Sequence, residues 1–232
     1  MALVQYGGGI QDMRGSIGGQ VHSRNRFGNY IRARTTPVNP QSDRQNVIRA
    51  VVQALSQQWS NVLTQLQRDA WEVYAAAITR TNALGAQVKL TGFNHFIRSN
   101  SARMQLADTV IVAGPTTLTL PPGDPTFACV VDEAGQEISV TFDDTLGWAL
   151  IDEGQMYVSM SIPKAAGTGF IGGPFRIAGA LDGCTLTPLE SPQVLAVPFP
   201  VAEGQVVVCR ARISEADGRL SDIFRNQSNV TA

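Results

Sequence analysis

Two spacings of apolar side chains divide this 232-residue chain. Between residues 42 and 106 they return every three or four positions, and from residue 126 onward they alternate. The first spacing is that of helices with one buried face, the second that of half-buried strands. Two stretches have capping-box form, Ser42-Asp43-Arg44-Gln45 and Thr64-Gln65-Leu66-Gln67. In each, the hydroxyl and the glutamine can satisfy one another's backbone donors. After the first, Ile48, Val51 or Val52, Leu55, Trp59 and Val62 share a helical face; after the second, Ala70, Trp71, Tyr74 and Ala77 do. This predicts a helical hairpin joined near residues 60–63. A polar loop over residues 79–89 leads to a third helix opened by Thr91 or Gly92. Phe93, Phe96, Ile97 and Met104 are expected on one of its faces, with Arg98 and Arg103 elsewhere.

The alternating part predicts strands at 127–131, 138–142, 156–162, 175–178, 194–199, 205–213 and 220–224. Turns such as Asp132-Glu133-Ala134-Gly135 and Leu181-Asp182-Gly183 separate them. Seven short strands at this spacing point to an antiparallel β-sandwich. Ahead of the helices, residues 21–24 and 29–34 are extended runs around Asn25-Arg26-Phe27-Gly28, and a hairpin is expected. Pro37-Val38-Asn39-Pro40 then holds the chain extended. The breakers in Ala113-Gly114-Pro115 and Leu120-Pro121-Pro122-Gly123-Asp124-Pro125 mark a linker. The expected class is α+β: an arm and hairpin over 1–40, a helical region over 41–112, a linker over 113–125 and a sandwich over 126–232.

Charge sharpens this division. Residues 1–110 hold 12 Lys and Arg against 5 Asp and Glu, whereas residues 111–232 hold 6 against 14. The two parts therefore carry opposite fields. At 16% charged residues overall the chain is lightly charged, as suits a protein packed against copies of itself or partners. No long apolar run is present, and residues 1–9 lack the basic flank and apolar stretch of a signal peptide, so a cytoplasmic origin and no membrane partner are expected. Cys129, Cys184 and Cys209 are odd in number and widely spaced, which suits reduced thiols better than a disulfide framework or a zinc site.

The region from Gly15 to Arg34 is rich in Gly and Arg and poor in large apolar side chains. It is expected to become ordered by lying on another surface. Arg14, Arg24, Arg26, Tyr30, Arg32 and Arg34 are the candidate interaction residues, with Tyr30, Arg32 and Arg34 alternating onto one face of the second run. Five phosphate contacts would give a salt slope of about −4 to −5. Arginine is, however, the residue suited to bidentate pairing with carboxylates, and no lysine precedes Lys89. Contact with an acidic protein surface is the favoured reading, and nucleic acid the lesser one.

Catalytic, metal and cofactor sites are not expected. His22 and His95 have no carboxylate or thiol nearby in sequence and read as packing residues. Asp132-Glu133 and Asp143-Asp144 read as solvated turns. The glycine runs at 7–9 and 15–19 lack the Lys-Ser or Lys-Thr of a phosphate loop. Asn226-Gln227-Ser228 and Asn229-Val230-Thr231 match a glycosylation sequon that has no meaning without secretion.

Over residues 13–106, an ordered string of motifs resembles a family of small structural proteins of tailed bacteriophages and prophages. It runs from the Gly15, Gly18-Gly19, Val21, Ser23-Arg24-Asn25-Arg26, Gly28, Tyr30, Arg32 pattern through Pro37-Val38-Asn39-Pro40, Ser42 and Gln45. It then takes in the Trp59 helix, Arg68-Asp69-Ala70-Trp71 and Gly92-Phe93-Asn94-His95-Phe96. The resemblance implies a virion component with no catalytic residues to transfer. The end of the chain, residues 206–221, resembles the last hairpin of a fibronectin type III or related immunoglobulin-like domain. Together these imply a non-enzymatic, self-associating virion protein: a capsid-associated decoration or cement protein first, a neck or tail protein as the alternative. Its partners would be the major capsid protein, or connector or tail proteins.

Overall fold

The computed structural model describes residues 2–36 and 38–232. Helices and strands segregate along the chain in an α+β arrangement. The chain forms two compact units, Met1–His95 and Phe96–Ala232. The sequence suggests a boundary at 113–125; those residues instead belong to the second unit, without helix or strand. Local bonds explain why. Asn100 exchanges hydrogen bonds with the backbone of Ile111, and Arg103 reaches the Glu153 carbonyl at 2.6 Å, so residues 98–111 are fastened within the second unit.

In the first unit, β1 (Ala2–Val4), β2 (Gly15–Ile17), β3 (Gln20–Asn25) and β4 (Gly28–Ala33) form an antiparallel sheet in the order β1-β4-β3-β2. The expected hairpin is present as β3 and β4, with Asn25 opposite Gly28 across a two-residue turn and Gly28 at φ +118°. The expected arm is more than a lone hairpin: main-chain pairing with β1 and β2 places it in a four-stranded sheet. The turn is also held, since Asn82 Nδ2 donates to the Phe27 carbonyl and Arg26 to that of Lys89.

Helices α1 (Asp43–Asn61) and α2 (Gln65–Ala77) are the expected pair. Their caps differ. Thr64 and Gln67 form a complete capping box, but Ser42 makes no side-chain cap bond. Arg68 instead serves the other end of α1, donating Nη1 to the carbonyls of Trp59 and Leu63, which lack helical partners there. The apolar face expected on α1 is only partly used: Val51 and Leu55 are buried, while Ile48, Val52 and Val62 are exposed. On α2, Trp71, Tyr74 and Ala75 are buried. The loop at 79–89 contains a short hairpin, β5 (Arg80–Thr81) with β6 (Gln87–Val88).

Thr91 caps α3 (Gly92–Gln105), its Oγ1 accepting from Asn94 N. Gly92 is required by proximity, because a Cβ there would lie 2.6 Å from the backbone nitrogen of Glu72. The face expected on α3 is corrected: Phe96, Ser99, Asn100 and Arg103 are its buried stripe, and Ile97 and Met104 are only half-buried. The polar members are tolerated because Asn100 and Arg103 have hydrogen-bond partners.

The second unit's strands are β7 (Ala128–Asp132), β8 (Glu137–Thr141), β9 (Gln155–Ser161), β10 (Phe175–Asp182), β11 (Gln193–Ala196), β12 (Val206–Ser214) and β13 (Phe224–Thr231). They form one mixed sheet in the order β10-β9-β12-β13-β7-β8-β11. Every neighbouring pair is antiparallel except β13 with β7, where Val230 faces Val131. A Cβ on Gly179 of β10 would lie 3.0 Å from Leu195 of β11, so the first and last strands of the order approach each other. Six strands match expectation, but the last is not at 220–224. Leu220 makes only an isolated bridge to Ser214, and the strand starts at Phe224, in the polar stretch read as sequons. That stretch alternates half-buried with exposed positions up to Val230, which is fully buried, and Asn226 Oδ1 accepts from Cys129 N.

One core joins these strands, with Val131, Ile138, Val140, Trp148, Met156, Val158, Met160, Val207, Cys209 and Ile213 nearly inaccessible. At about 25 cal/mol per Å2 of apolar surface, each such side chain contributes on the order of 1.5–3 kcal/mol.

Candidate assembly surface

The six residues singled out from the sequence do not form one stripe. Tyr30 and Arg32 share a face of β4, opposite Ser23 and Val21 of β3. Arg24 pairs with Asn29, which puts it on the other face. Arg26 sits in the turn with its Nη1 3.2 Å from the Lys89 carbonyl. Arg14 precedes β2 and forms an exposed pair with Asp12 at 3.1 Å. Arg34 lies just past β4, its backbone nitrogen bonded to Gly19. Alternation along one strand locates Tyr30 and Arg32; the cross-strand register, not legible from one run alone, separates Arg24 from them. Among the described residues, Arg24, Arg32 and Arg34 form no side-chain hydrogen bond or ion pair, and all three are exposed, so their charge faces solvent.

An apolar feature expected in the core lies beside this charge in the chain. Every residue of α1 from Asp43 to Ala50 is exposed, as are the described residues of the segment before it from Arg32. Val38 is 87% exposed, Val47 47% and Ile48 36%. With Ile17 and Phe27 also exposed, the first unit presents large aliphatic and aromatic groups as well as unpaired guanidinium groups. Apolar surface of this kind marks interaction sites. Helical spacing could not reveal this, because it identifies an apolar face without saying what covers it.

The second unit holds a polar cavity of about 510 Å3. Arg103, whose side chain is 2% exposed, binds Asp108 at 2.7 Å through Nη1. Gln155 Nε2 donates to both Asp108 Oδ2 (2.8 Å) and Asp182 Oδ1 (2.7 Å), while its Oε1 accepts from Tyr157 at 2.5 Å. Burial pushes the Tyr157 phenol up to about 12. The carboxylate oxygens facing Arg103 and Gln155 are thus already engaged in the fold, and the arrangement ties the end of α3 to β9 and β10. Its one signal in the sequence is the short spacing from Arg103 to Asp108.

The two histidines are packing residues. His22 is buried, with Nδ1 3.1 Å from the Tyr6 hydroxyl. His95 packs edge-on against Tyr74. Asp132 accepts from Gly135 N, Glu133 from Glu203 N, and Asp143 from both the backbone and hydroxyl of Thr145, so these carboxylates shape turns. The three thiols are free: Cys129 and Cys209 are buried, and a hydrogen bond with Cys209, then burial, raises the Cys129 thiol far above its ordinary range. Cys184 is half-buried and held below the usual range by bonds from Thr187. Among the described residues, no group of three or more His, Cys, Asp or Glu is arranged to hold a metal ion. No described helix is long and apolar enough to cross a membrane.

No protein-family model and no curated protein matches this chain. Among solved structures, it is similar to the crystal structure of a family 76 glycoside hydrolase from a bovine Bacteroides thetaiotaomicron strain. The match has 17% identity over 47% of this chain and a TM-score of 0.33, and the chain covers 20% of that protein.

Proposed function

We propose that the chain is a non-enzymatic structural component of a tailed-phage particle, attached through its first unit as a capsid-associated decoration or cement protein. The observation that supports this best is the exposure of every described residue from 32 to 50 and of Val52, so that Val38, Val47, Ile48 and Val52 lie uncovered close in the chain to the solvent-facing Arg32 and Arg34. Aliphatic groups contribute burial on docking, and the arginines select an acidic face. Charge indicates one such face. The first unit carries 10 Lys and Arg against 4 Asp and Glu, and the second 8 against 15. A second copy's second unit, or an acidic coat protein, is therefore complementary, and stable attachment would bury on the order of 1,000 Å2. In this reading the mixed sheet, whose first and last strands approach each other, is an immunoglobulin-like sandwich facing outward or packing laterally. The division of the arginines between two sheet faces favours protein over a duplex, which would need them along one line.

The test adds purified protein to particles that lack it. Binding that is lost on replacing Arg32 and Arg34 with Ser and Val47 with Asp, in a variant that retains its melting profile, is the expected result. Failure of the unmodified chain to bind, together with retardation of duplex DNA at low salt, would overturn the reading. Hundreds of bound copies per particle mark the head surface, whereas a multiple of six or twelve moves the assignment to the neck.

A further inference from the structure

In the acidic second unit, three of its eight cationic side chains, Arg98, Arg210 and Arg212, line a single pocket. The pocket holds about 240 Å3 between α3 and the outer faces of β9, β10 and β12, and Phe175, Ile177 and Ile223 form its apolar wall. The register explains the concentration of charge. Arg210 stands directly opposite Arg225 on β13, and its other neighbour is Ser159 on β9. Like charges directly opposed across strands are destabilising. Arg210 lies flat on Phe175, with Cζ 3.4 Å from the ring centroid, and its buried Nε has no acceptor among the described residues. Burial, and then Arg225, hold its guanidinium below the usual arginine range. Arg98 donates to the Ser221 carbonyl at 3.3 Å and lies 3.9 Å from the largely exposed Asp222. Arg98 and Arg212 have partners of their own, so Arg210 is the cation on this partly desolvated apolar wall that costs stability unless an anion completes it.

We propose that this pocket binds an acidic peptide segment of a partner protein, seating one Asp or Glu carboxylate on the Arg210 guanidinium with an adjacent apolar side chain against Phe175 and Ile223. The walls dictate this chemistry. Planar guanidinium groups suit a carboxylate, and the cavity is smaller than those that enclose whole drug-sized ligands, as befits one or two residues of a chain that continues into solvent. Ile223 is 45% exposed, so the segment has apolar surface to cover at the rim. This assignment stands whether or not the chain belongs to a particle.

The probe is a fluorescent pentapeptide Ala-Leu-Glu-Phe-Ala, capped at both ends, and its Gln counterpart, followed by anisotropy with the full chain. The Glu peptide should bind about tenfold more tightly than the Gln peptide, and added salt should weaken it. Arg210→Gln should bring the two peptides to equal affinity, and Phe175→Ala should weaken both. Ile223→Ser, at the exposed rim, supplies a second variant should Arg210→Gln unfold, and it should lower affinity for the Glu peptide. Equal binding of both peptides by the unmodified protein, or no binding of either, overturns the proposal. So does displacement by inorganic phosphate or duplex DNA at concentrations matching the peptide, since the apolar wall would then select nothing.

Discussion

The two units of this chain use their apolar residues differently. In the second, nineteen buried residues interlock in one core, and β9 is buried at six of its seven positions. In the first, the buried set is short, centred on Leu55, Trp71 and Tyr74, while Val38, Val47, Ile48, Val52, Leu66 and Val73 face solvent. The second unit is therefore stabilised from within, although Phe170 and Leu186 of its loops are exposed, and the first leaves a larger share of its apolar side chains uncovered. Charge divides less cleanly. Arg98, Arg103 and Arg219 of the second unit have carboxylates within 4 Å, but the buried Nε of Arg210 has no acceptor among the described residues. In the first, Arg14 pairs with Asp12, while Arg24, Arg32 and Arg34 have no carboxylate among the described residues.

The strongest way to break this comparison is to empty each core in turn. Trp148→Ala removes a side chain only 1% exposed, packed against Phe142, and should cost about 3–5 kcal/mol. Trp71→Ala, at 0% exposure, should cost about as much locally, because its pocket is closed even though its unit is sparsely packed. Calorimetry with circular dichroism should show Trp148→Ala lowering the β-sheet transition and Trp71→Ala the helical one. If both substitutions lowered both transitions equally, the units would share one cooperative core and the contrast would fail.

A second way uses pH. Tyr157 has a folded value near 12 against an ordinary 10, so the folded state holds its proton more tightly than the unfolded chain does. Its contribution is fully present below pH 10 and is lost as pH rises toward 12, an effect on the order of 2 kcal/mol. Tyr157→Phe should therefore flatten the alkaline limb of stability of the second unit and leave the helical transition unchanged. An unaltered alkaline limb would show that the phenol is not buried as described.

Packing within the first unit is tested at Gly92. A methyl group there meets the backbone of Trp71 and Glu72 at 2.6–2.7 Å, and backbone yields less readily than a side chain. Gly92→Ala is expected to cost about 1–3 kcal/mol by overpacking, although alanine is the better helix former. A neutral result, measured by urea denaturation, would mean that the sparse first unit is also loosely packed.

Much of the secondary structure is legible in the residues, because it depends on local chemistry. The 25–28 turn, the Thr64 box, Thr91 and six of the seven expected strands need only spacing and turn residues. The rest requires knowledge of neighbours. Strand β13 has a polar sequence, and only its placement between β12 and β7 makes it a central strand. Arg103, expected off the apolar face of α3, and Asn100 are buried because the Glu153 and Ile111 carbonyls supply their partners. The pocket of Arg98, Arg210 and Arg212 joins residues more than a hundred positions apart, which no periodicity connects. The apolar face of α1 is legible, but its burial is not, since spacing is the same whether the partner is the chain itself or another molecule.

The smallest effect separates the two helix starts. Ser42 and Thr64 open sequences of the same form, yet only Thr64 accepts a bond from its N3 nitrogen, that of Gln67 at 3.3 Å, while Gln67 Oε1 accepts one from Thr64 N at 2.9 Å. Ser42 makes no such bond, and the first two turns of α1 are exposed on all sides. Thr64→Ala should accordingly cost about 1 kcal/mol and Ser42→Ala less than about 0.5 kcal/mol in the isolated protein. On a partner surface that covers the exposed start of α1, the Ser42 hydroxyl is removed from solvent beside its own helix. The cost of Ser42→Ala should then rise toward that of Thr64→Ala when read as loss of particle binding. If the isolated protein already lost about 1 kcal/mol on Ser42→Ala, the Ser42 hydroxyl would cap α1 without a partner, and the two helix starts would differ less than their geometry implies.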